Sequence, residues 1–171
     1  MRQETYLSGL VPKTRDILQG RKVDQCGAIC WRISEAGAVE VLLISSRDTG
    51  RWVIPKGNIG KKEQPHHCAR REAREEAGVV GRISKKALGY YTYLKDPMKA
   101  PFIVSVFPLQ TENEVDNFKE CGARRRTWLA PTEAAVLVDE PELKGLFRLI
   151  AGGNGPKAFR KAVETLVYRE P

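Results

Sequence analysis

The chain has 171 residues, 42% of them hydrophobic and 29% charged, with a formal net charge of +8. That length suits one domain around a single core, which needs neither cofactor nor disulfide to fold. The balance excludes a disordered chain, and no run of about eighteen apolar residues is present to cross a membrane. The opening MRQETYLSGLVPKTRD lacks the apolar stretch of a secretory signal, so a cytoplasmic location is expected.

In chain order, residues 1–20 read as an N-terminal extension, 21–150 as the main domain, and 151–171 as a C-terminal helix packing on it. VDQCGAICW (23–31) and VEVLLIS (39–45) are β-branched and apolar, and the polar RISEAGA between them makes them a hairpin. Trp52-Val53-Ile54 is a short strand that Pro55 ends, so the chain is expected to leave the sheet and loop through Gly57 and Gly60. A helix then runs from Pro65, suited to a first turn, to Gly78, suited to the left-handed residue that closes a helix. Residues 87–94 (ALGYYTYL), 102–109 (FIVSVFPL) and 126–129 (RTWL) read as strands. Pro131 to Val138, PELKGLFRLI (141–150) and the segment around Phe159–Val167 read as helices. This order implies a mixed sheet with helices on its faces, an α/β fold.

Within the helix from Pro65, a pitch of 100° per residue puts Ala69, Ala73 and Ala77 on one narrow stripe that permits close approach to a sheet. Glu72, Glu75 and Glu76 fill the neighbouring stripe, and Arg70, Arg74 and His67 point away. Each like-charge pair on a helix costs roughly 0.2–0.5 kcal/mol unless something compensates. A solvated acidic face balanced by Arg70, Arg71 and Arg74 is the simplest compensation; a bound cation is the alternative. Carboxylates on adjacent turns can hold Mg²⁺ or Mn²⁺, which prefer oxygen ligands, and the negative end of the helix dipole lies close by.

The four cysteines, Cys26, Cys30, Cys68 and Cys121, are scattered, and the first three read as small buried hydrophobes. His66 and His67 are adjacent, not spaced as zinc ligands are, and no C-x-x-C accompanies them, so zinc is discarded. Basic residues cluster at Arg47, Arg51, Lys56, Lys61-Lys62, Arg70-Arg71 and Arg124-Arg125-Arg126. A field of that sign draws a polyanion, whether nucleic acid, acidic lipid or small polyphosphate.

The spacing of Gly57, Glu63, Arg71, Glu72, Glu75, Glu76 and Gly78 resembles the Nudix box, the loop–helix–loop signature of the Nudix hydrolases. The resemblance implies a Nudix fold, a mixed β-sheet sandwiched between helices (α/β/α). It further implies a pyrophosphohydrolase acting on a phosphoanhydride with Mg²⁺, or Mn²⁺, as cofactor. Glu72, Glu75 and Glu76 would then be metal ligands, joined by the Gly57 carbonyl, and Arg71 and Glu63 an orienting ion pair that completes the catalytic set. The metal would lower the pKa of the attacking water, with a box glutamate or an acid on a distant loop as general base; Glu112, Glu114 and Glu120 are available.

Two further runs, VEVLLISSRDTGRWVIPKG (39–57) and ARRRTWL (123–129), are similar to the diphosphoinositol polyphosphate and diadenosine polyphosphate hydrolase branch, extending the likeness over about residues 22–138. That implies a polyphosphate pocket lined by Arg47, Arg51, Lys56, Gly57, Arg124, Arg125 and Arg126. Lys56-Gly57-Asn58 and Asp96–Lys99 depart from that branch and put the inositol substrate in question. Rival substrates are ADP-ribose or nucleotide sugars and RNA 5′ ends, and a non-catalytic nucleotide sensor is the rival of another class. Tyr90, Tyr91 and Tyr93 are candidates to stack on a base, with strand packing as the simpler explanation.

Overall fold

A computed structural model describes residues 25–95 and 101–153. The N-terminal extension, the turn around Asp96–Lys99 and the helix around Phe159–Val167 lie outside the described residues. The elements are β1 (Gln25–Ile33), β2 (Val39–Ser45), β3 (Trp52–Val53), β4 (Lys56–Asn58), α1 (Pro65–Ala77), β5 (Val79–Ile83), β6 (Gly89–Tyr93), β7 (Phe102–Glu114), β8 (Arg126–Leu129), α2 (Pro131–Leu137) and α3 (Pro141–Ala151). Among the described residues, no helix is long and apolar enough to cross a membrane.

These eight strands join one mixed sheet whose main path runs β3-β2-β1-β7-β5, with β4 on β1, β6 on β7 and β8 on β2. β1 and β2 are the expected antiparallel hairpin, with Trp31 opposite Val41. β1 and β7 are parallel, Gln25 opposite Val104, so the centre of the sheet joins segments far apart in sequence. These strands are apolar on both faces because both faces are covered. Ile29, Trp31, Val41, Leu43, Val104 and Val106 pack with α2 and α3 through Ala134, Leu143 and Phe147. Cys26, Ala28, Cys30, Leu42, Ile44 and Leu109 pack with α1 through Ala69, Ala73 and Ala77. The alanine stripe therefore sets how closely α1 lies on the sheet, and the helices sandwich the sheet as expected.

Pro55 does not remove the chain from the sheet. Its carbonyl accepts from the Ala28 amide at 3.0 Å, and the next residues pair with β1 as β4, Cys26 opposite Gly57. A proline forfeits only its own donor, so the break between β3 and β4 is confined to Ile54 and Pro55. The expected loop through Gly57 thus begins on a strand. β5 is a second departure, because VVGRI lacks the length and clean alternation that mark a strand. It pairs with β7 through an irregularity between Val80 and Gly81.

Candidate active site

α1 carries the acidic side chains, and its ends are set by local chemistry. Pro65 occupies the first turn, and Gly78 closes the helix at φ 67° with its amide donating to Ala73 O and Arg74 O. A side chain at Gly78 would collide with Phe118 and the Val115 carbonyl, so glycine is required there on two counts. Glu72 and Glu76, one turn apart, are buried at 9% exposure each, beside the alanine stripe; Glu75 is half-buried.

Glu72 packs so closely on the main chain of Gly57 that any β-carbon at 57 would stand inside its carboxylate. Glu76 accepts from the Lys56 amide at 3.0 Å. The short strand β4 therefore holds both carboxylates from the sheet side, which is why its pairing with β1 matters to the site.

Each carboxylate faces a cation of its own. Arg71 reaches Glu72 at 2.5 Å and grips Glu63 with two nitrogens at 2.9 and 3.0 Å, while donating to Asn58 O at 3.1 Å. Glu63 in turn accepts from the Gly60 amide at 2.8 Å. Arg71 thus ties helix to loop, and its bonding holds the Glu63 carboxyl below the usual carboxylate value. Glu75 pairs with Lys119 at 2.9 Å and with Arg71 at 3.9 Å.

Arg124 contacts Glu76 at 2.5 Å, Glu120 at 2.5 Å and the Ser45 carbonyl at 3.0 Å. Even so, burial pushes the Glu76 carboxyl up to about 7, with Glu72 adding to the rise against the Lys56 amide and Arg124. Burial is the larger effect because the carboxylate loses water on every side that its partners leave open.

A cavity of about 420 Å³ opens beside these carboxylates and shares Lys56 and Arg124 with them. Among the described residues, Arg47, Arg51, Lys56, Lys95 and Arg124 line it against Asp48 as the one acid. Arg51 is held by Glu140 at 2.7 Å and Asp139 at 3.7 Å at the start of α3. The Lys56 ammonium lies over the Tyr93 ring, 4.3 Å from its centroid, and burial pulls its pKa below the usual lysine value. Gln25 and Tyr93 also line it. No sequence signal marks Gln25 or Lys95, because the sheet brings both to the site, Gln25 at the start of β1 and Lys95 just after β6; Tyr93 is marked by its aromatic ring alone.

The arginine triplet does not act as a unit. Arg124 lines the cavity with its guanidinium already engaged. Arg125 lies over the Trp52 ring at 4.9 Å and bonds the Gly50 carbonyl at 3.2 Å, outside the lining. Arg126 bonds the Ala77 carbonyl at 2.7 Å, capping the C-terminus of α1, with Phe118 beneath it at 5.0 Å. Successive residues of an extended chain point to opposite sides, so three consecutive arginines could not share one pocket.

Among the acids beyond the helix, Glu112 pairs with Arg82 and Glu114 with Arg32, each at 2.9 Å, away from the cavity. Glu120 is the one that shares Arg124 with Glu76. Tyr91 is buried in the core, Tyr90 is exposed and Tyr93 lies on Phe102, with ring centroids 5.3 Å apart.

Cys26 and Cys68 are buried as expected, but they are joined as a disulfide linking β1 to α1, which corrects their reading as inert hydrophobes. Their sulphurs lie 3.9 and 3.7 Å from the Gly57 carbonyl. Nothing local in sequence reveals the pairing, since β4 and α1 must first stack against β1 to bring the two residues together. Cys30 and Cys121 are free, and burial pushes the Cys30 thiol up.

The donors along α1 suit a hard divalent cation in kind. All are oxygens, two of the carboxylates are buried one turn apart, and glycine at 57 lets a carboxylate approach the main chain. Among the described residues, no three histidine, cysteine, aspartate or glutamate side chains close around one point. Arg71, Lys119 and Arg124 hold the three carboxylates toward separate partners instead.

Comparisons with known proteins agree with this architecture. The sequence is 32% identical over 118 residues to Nudix hydrolase 18, mitochondrial, of Arabidopsis thaliana, covering 67% of this chain and 66% of that protein. It is 29% identical over 110 residues to human diphosphoinositol polyphosphate phosphohydrolase 3-alpha, covering 64% and 65%. The match thus spans just under two thirds of the length of each of these two relatives. A crystal structure of a Caenorhabditis elegans Ap4A hydrolase binary complex superposes with a TM-score of 0.59 at 24% identity, covering 74% of this chain and 93% of that one, a likeness of fold. Residues 25–150 match the NUDIX domain, so the chain belongs to that family.

Proposed function

We propose that this protein is a metal-dependent pyrophosphohydrolase that cleaves a phosphoanhydride bond in a small substrate carrying several consecutive phosphates. One observation carries the reading: the buried carboxylates of α1 and a cation-lined cavity share a wall, with Lys56 and Arg124 belonging to both. A cluster of acids draws a divalent cation, a cluster of bases draws phosphate, and a phosphoanhydride bound across the two meets both.

Glu72, Glu75 and Glu76, with the Gly57 carbonyl, are the groups that would hold Mg²⁺ or Mn²⁺. When bound, such a cation neutralises phosphate oxygens and lowers the pKa of an attacking water. The protein's own residues supply the rest. Arg71 and Glu63 keep the Gly57 loop against the helix. Lys56, Lys95 and Arg47 offer charge to the phosphates, and Arg51 does so from a position fixed by Glu140.

Lys56 is an ammonium whose charge burial disfavours, and a phosphate beside it would relieve that cost. Arg124 orients Glu76 and Glu120, which fits a positioning role better than substrate contact. The proton of the attacking water passes to one of these carboxylates. Glutamine substitutions at Glu72, Glu75, Glu76 and Glu120, taken singly, identify it as the one whose loss abolishes the acid limb of the pH–rate profile.

The test is a hydrolysis panel of diadenosine tetra-, penta- and hexaphosphate, a diphosphoinositol polyphosphate, ADP-ribose and triphosphorylated RNA, each with and without Mg²⁺. Four cationic side chains, Arg47, Arg51, Lys56 and Lys95, favour the longer phosphate chains over the two phosphates of ADP-ribose. A clear preference for ADP-ribose would refute the polyphosphate reading, and turnover unaffected by chelation would refute the metal.

A further inference from the structure

A second groove, about 980 Å³, runs along the solvent face of α1 and is bounded by β5 and by Asn117–Lys119 of the loop after β7. It shares no described lining residue with the cavity described above; Glu63, Arg71 and Glu75 at its edge belong to the carboxylate site. Its two acids are already paired within it, Glu63 with Arg71 and Glu75 with Lys119. Arg70 and Arg74 remain, both exposed and without an ion pair among the described residues, and exposed His67 precedes them by about one turn. The two guanidinium groups start about 6 Å apart along the helix axis, at 1.5 Å rise per residue. Between the walls lie Val80, which is 36% exposed, and the partly buried Phe118 ring, next to the Asn117 amide.

An excess of unpaired arginines with an apolar strip and an amide between them is the composition of a surface that takes a phosphodiester backbone and its bases. Guanidinium forks bind phosphate oxygens in pairs, and aromatic and apolar edges accept bases without reading their sequence. A net charge of +8 adds long-range attraction for such a polymer. We propose that the solvent face of α1 is a binding groove for single-stranded nucleic acid, with Arg70 and Arg74 as its phosphate contacts. This site is separate from the proposed anhydride cavity and does not depend on hydrolysis.

The test is fluorescence anisotropy with a labelled oligouridylate that carries a 5′-hydroxyl, in chelator, so that neither a reactive phosphate nor a metal is present. Saturable binding by the wild type is expected, and the Arg70→Ser/Arg74→Ser variant should bind at least 10-fold more weakly. Its dependence of log affinity on log salt should be shallower by about 1.4, since each single-strand phosphate contact contributes about 0.7. Both positions are exposed, so the variant should match the wild type in circular dichroism, melting and turnover of a small polyphosphate. Failure of strand binding overturns this proposal and leaves the hydrolysis panel untouched, and the reverse also holds. The proposal is also overturned if the variant binds the strand as tightly as the wild type, which would place binding elsewhere. Equal affinity of poly-glutamate through the same two arginines would likewise overturn it, by making the groove a dock for acidic protein.

Discussion

Replacing Arg71 by alanine removes four hydrogen bonds to oxygen: two to Glu63, one to Glu72 and one to the Asn58 carbonyl. Charge-assisted hydrogen bonds contribute roughly 1.5–3 kcal/mol each when shielded. The Arg71 side chain is 36% exposed, however, so solvent screens the Glu63 pair to about 1 kcal/mol or less. Glu72 is 11% exposed at its side chain, and stranding it without a partner costs roughly 1–2 kcal/mol more. The sum, about 1–3 kcal/mol, corresponds to a fall in melting temperature of roughly 2–12 °C for a domain of this size.

The pH dependence has a definite sign. Glu63 has a depressed pKa in the folded state relative to its ordinary 4.5. The pair's contribution is therefore full above that ordinary value and is lost as pH falls through the folded value. The gap between wild type and Arg71→Ala should narrow in acid. Scanning calorimetry between neutral pH and about pH 3 checks both points, and turnover should fall because the Gly57 loop loses its tether. A variant that melts and turns over with the wild type, or a gap that widens in acid, would refute the tether.

Glu76→Gln keeps the shape and removes the charge that burial disfavours. Turnover should drop by on the order of 10²-fold with little loss of melting temperature, and a near-wild-type rate would remove Glu76 from the site. The Cys26–Cys68 bridge closes 42 residues of sequence, worth about 4 kcal/mol on a chain-entropy estimate. A reductant should therefore lower the melting temperature of the wild type and not that of Cys26→Ala/Cys68→Ala, and thiol titration of the unfolded, unreduced chain should detect Cys30 and Cys121 alone. Four reactive thiols would contradict the bridge. Arg126→Ala should cost about 1 kcal/mol of stability through the lost cap on Ala77 and leave KM unchanged, whereas Arg47→Ala should raise KM and spare stability. The opposite pattern would return Arg126 to the substrate pocket.

Features that depend only on neighbours along the chain are legible in the sequence alone. Pro65, the alanine stripe and Gly78 delimit α1 because first-turn proline, helical period and left-handed closure are local. The register of Arg71, Glu72, Glu75 and Glu76 follows from the same pitch. The hairpin of β1 and β2 needs only its alternation and a polar turn.

What the tertiary structure decided were partners brought together from distant segments. Local rules stop the sheet at Pro55, but β1 offers a free edge that recruits Lys56–Asn58 as β4, and that pairing seats Glu72 and Glu76. β5 exists because β7 presents an edge on which glycine at 81 lets two backbones meet more closely than a side chain would allow. The cysteines are bonded because α1 lies on β1. Arg124 and Arg126, two residues apart, have separate roles because Arg124, in the bend before β8, meets the carboxylate cluster while Arg126, at the start of β8, meets the end of α1. Charge and spacing identify which residues matter, but a guanidinium's role depends on which acid, carbonyl or ring the fold sets beside it.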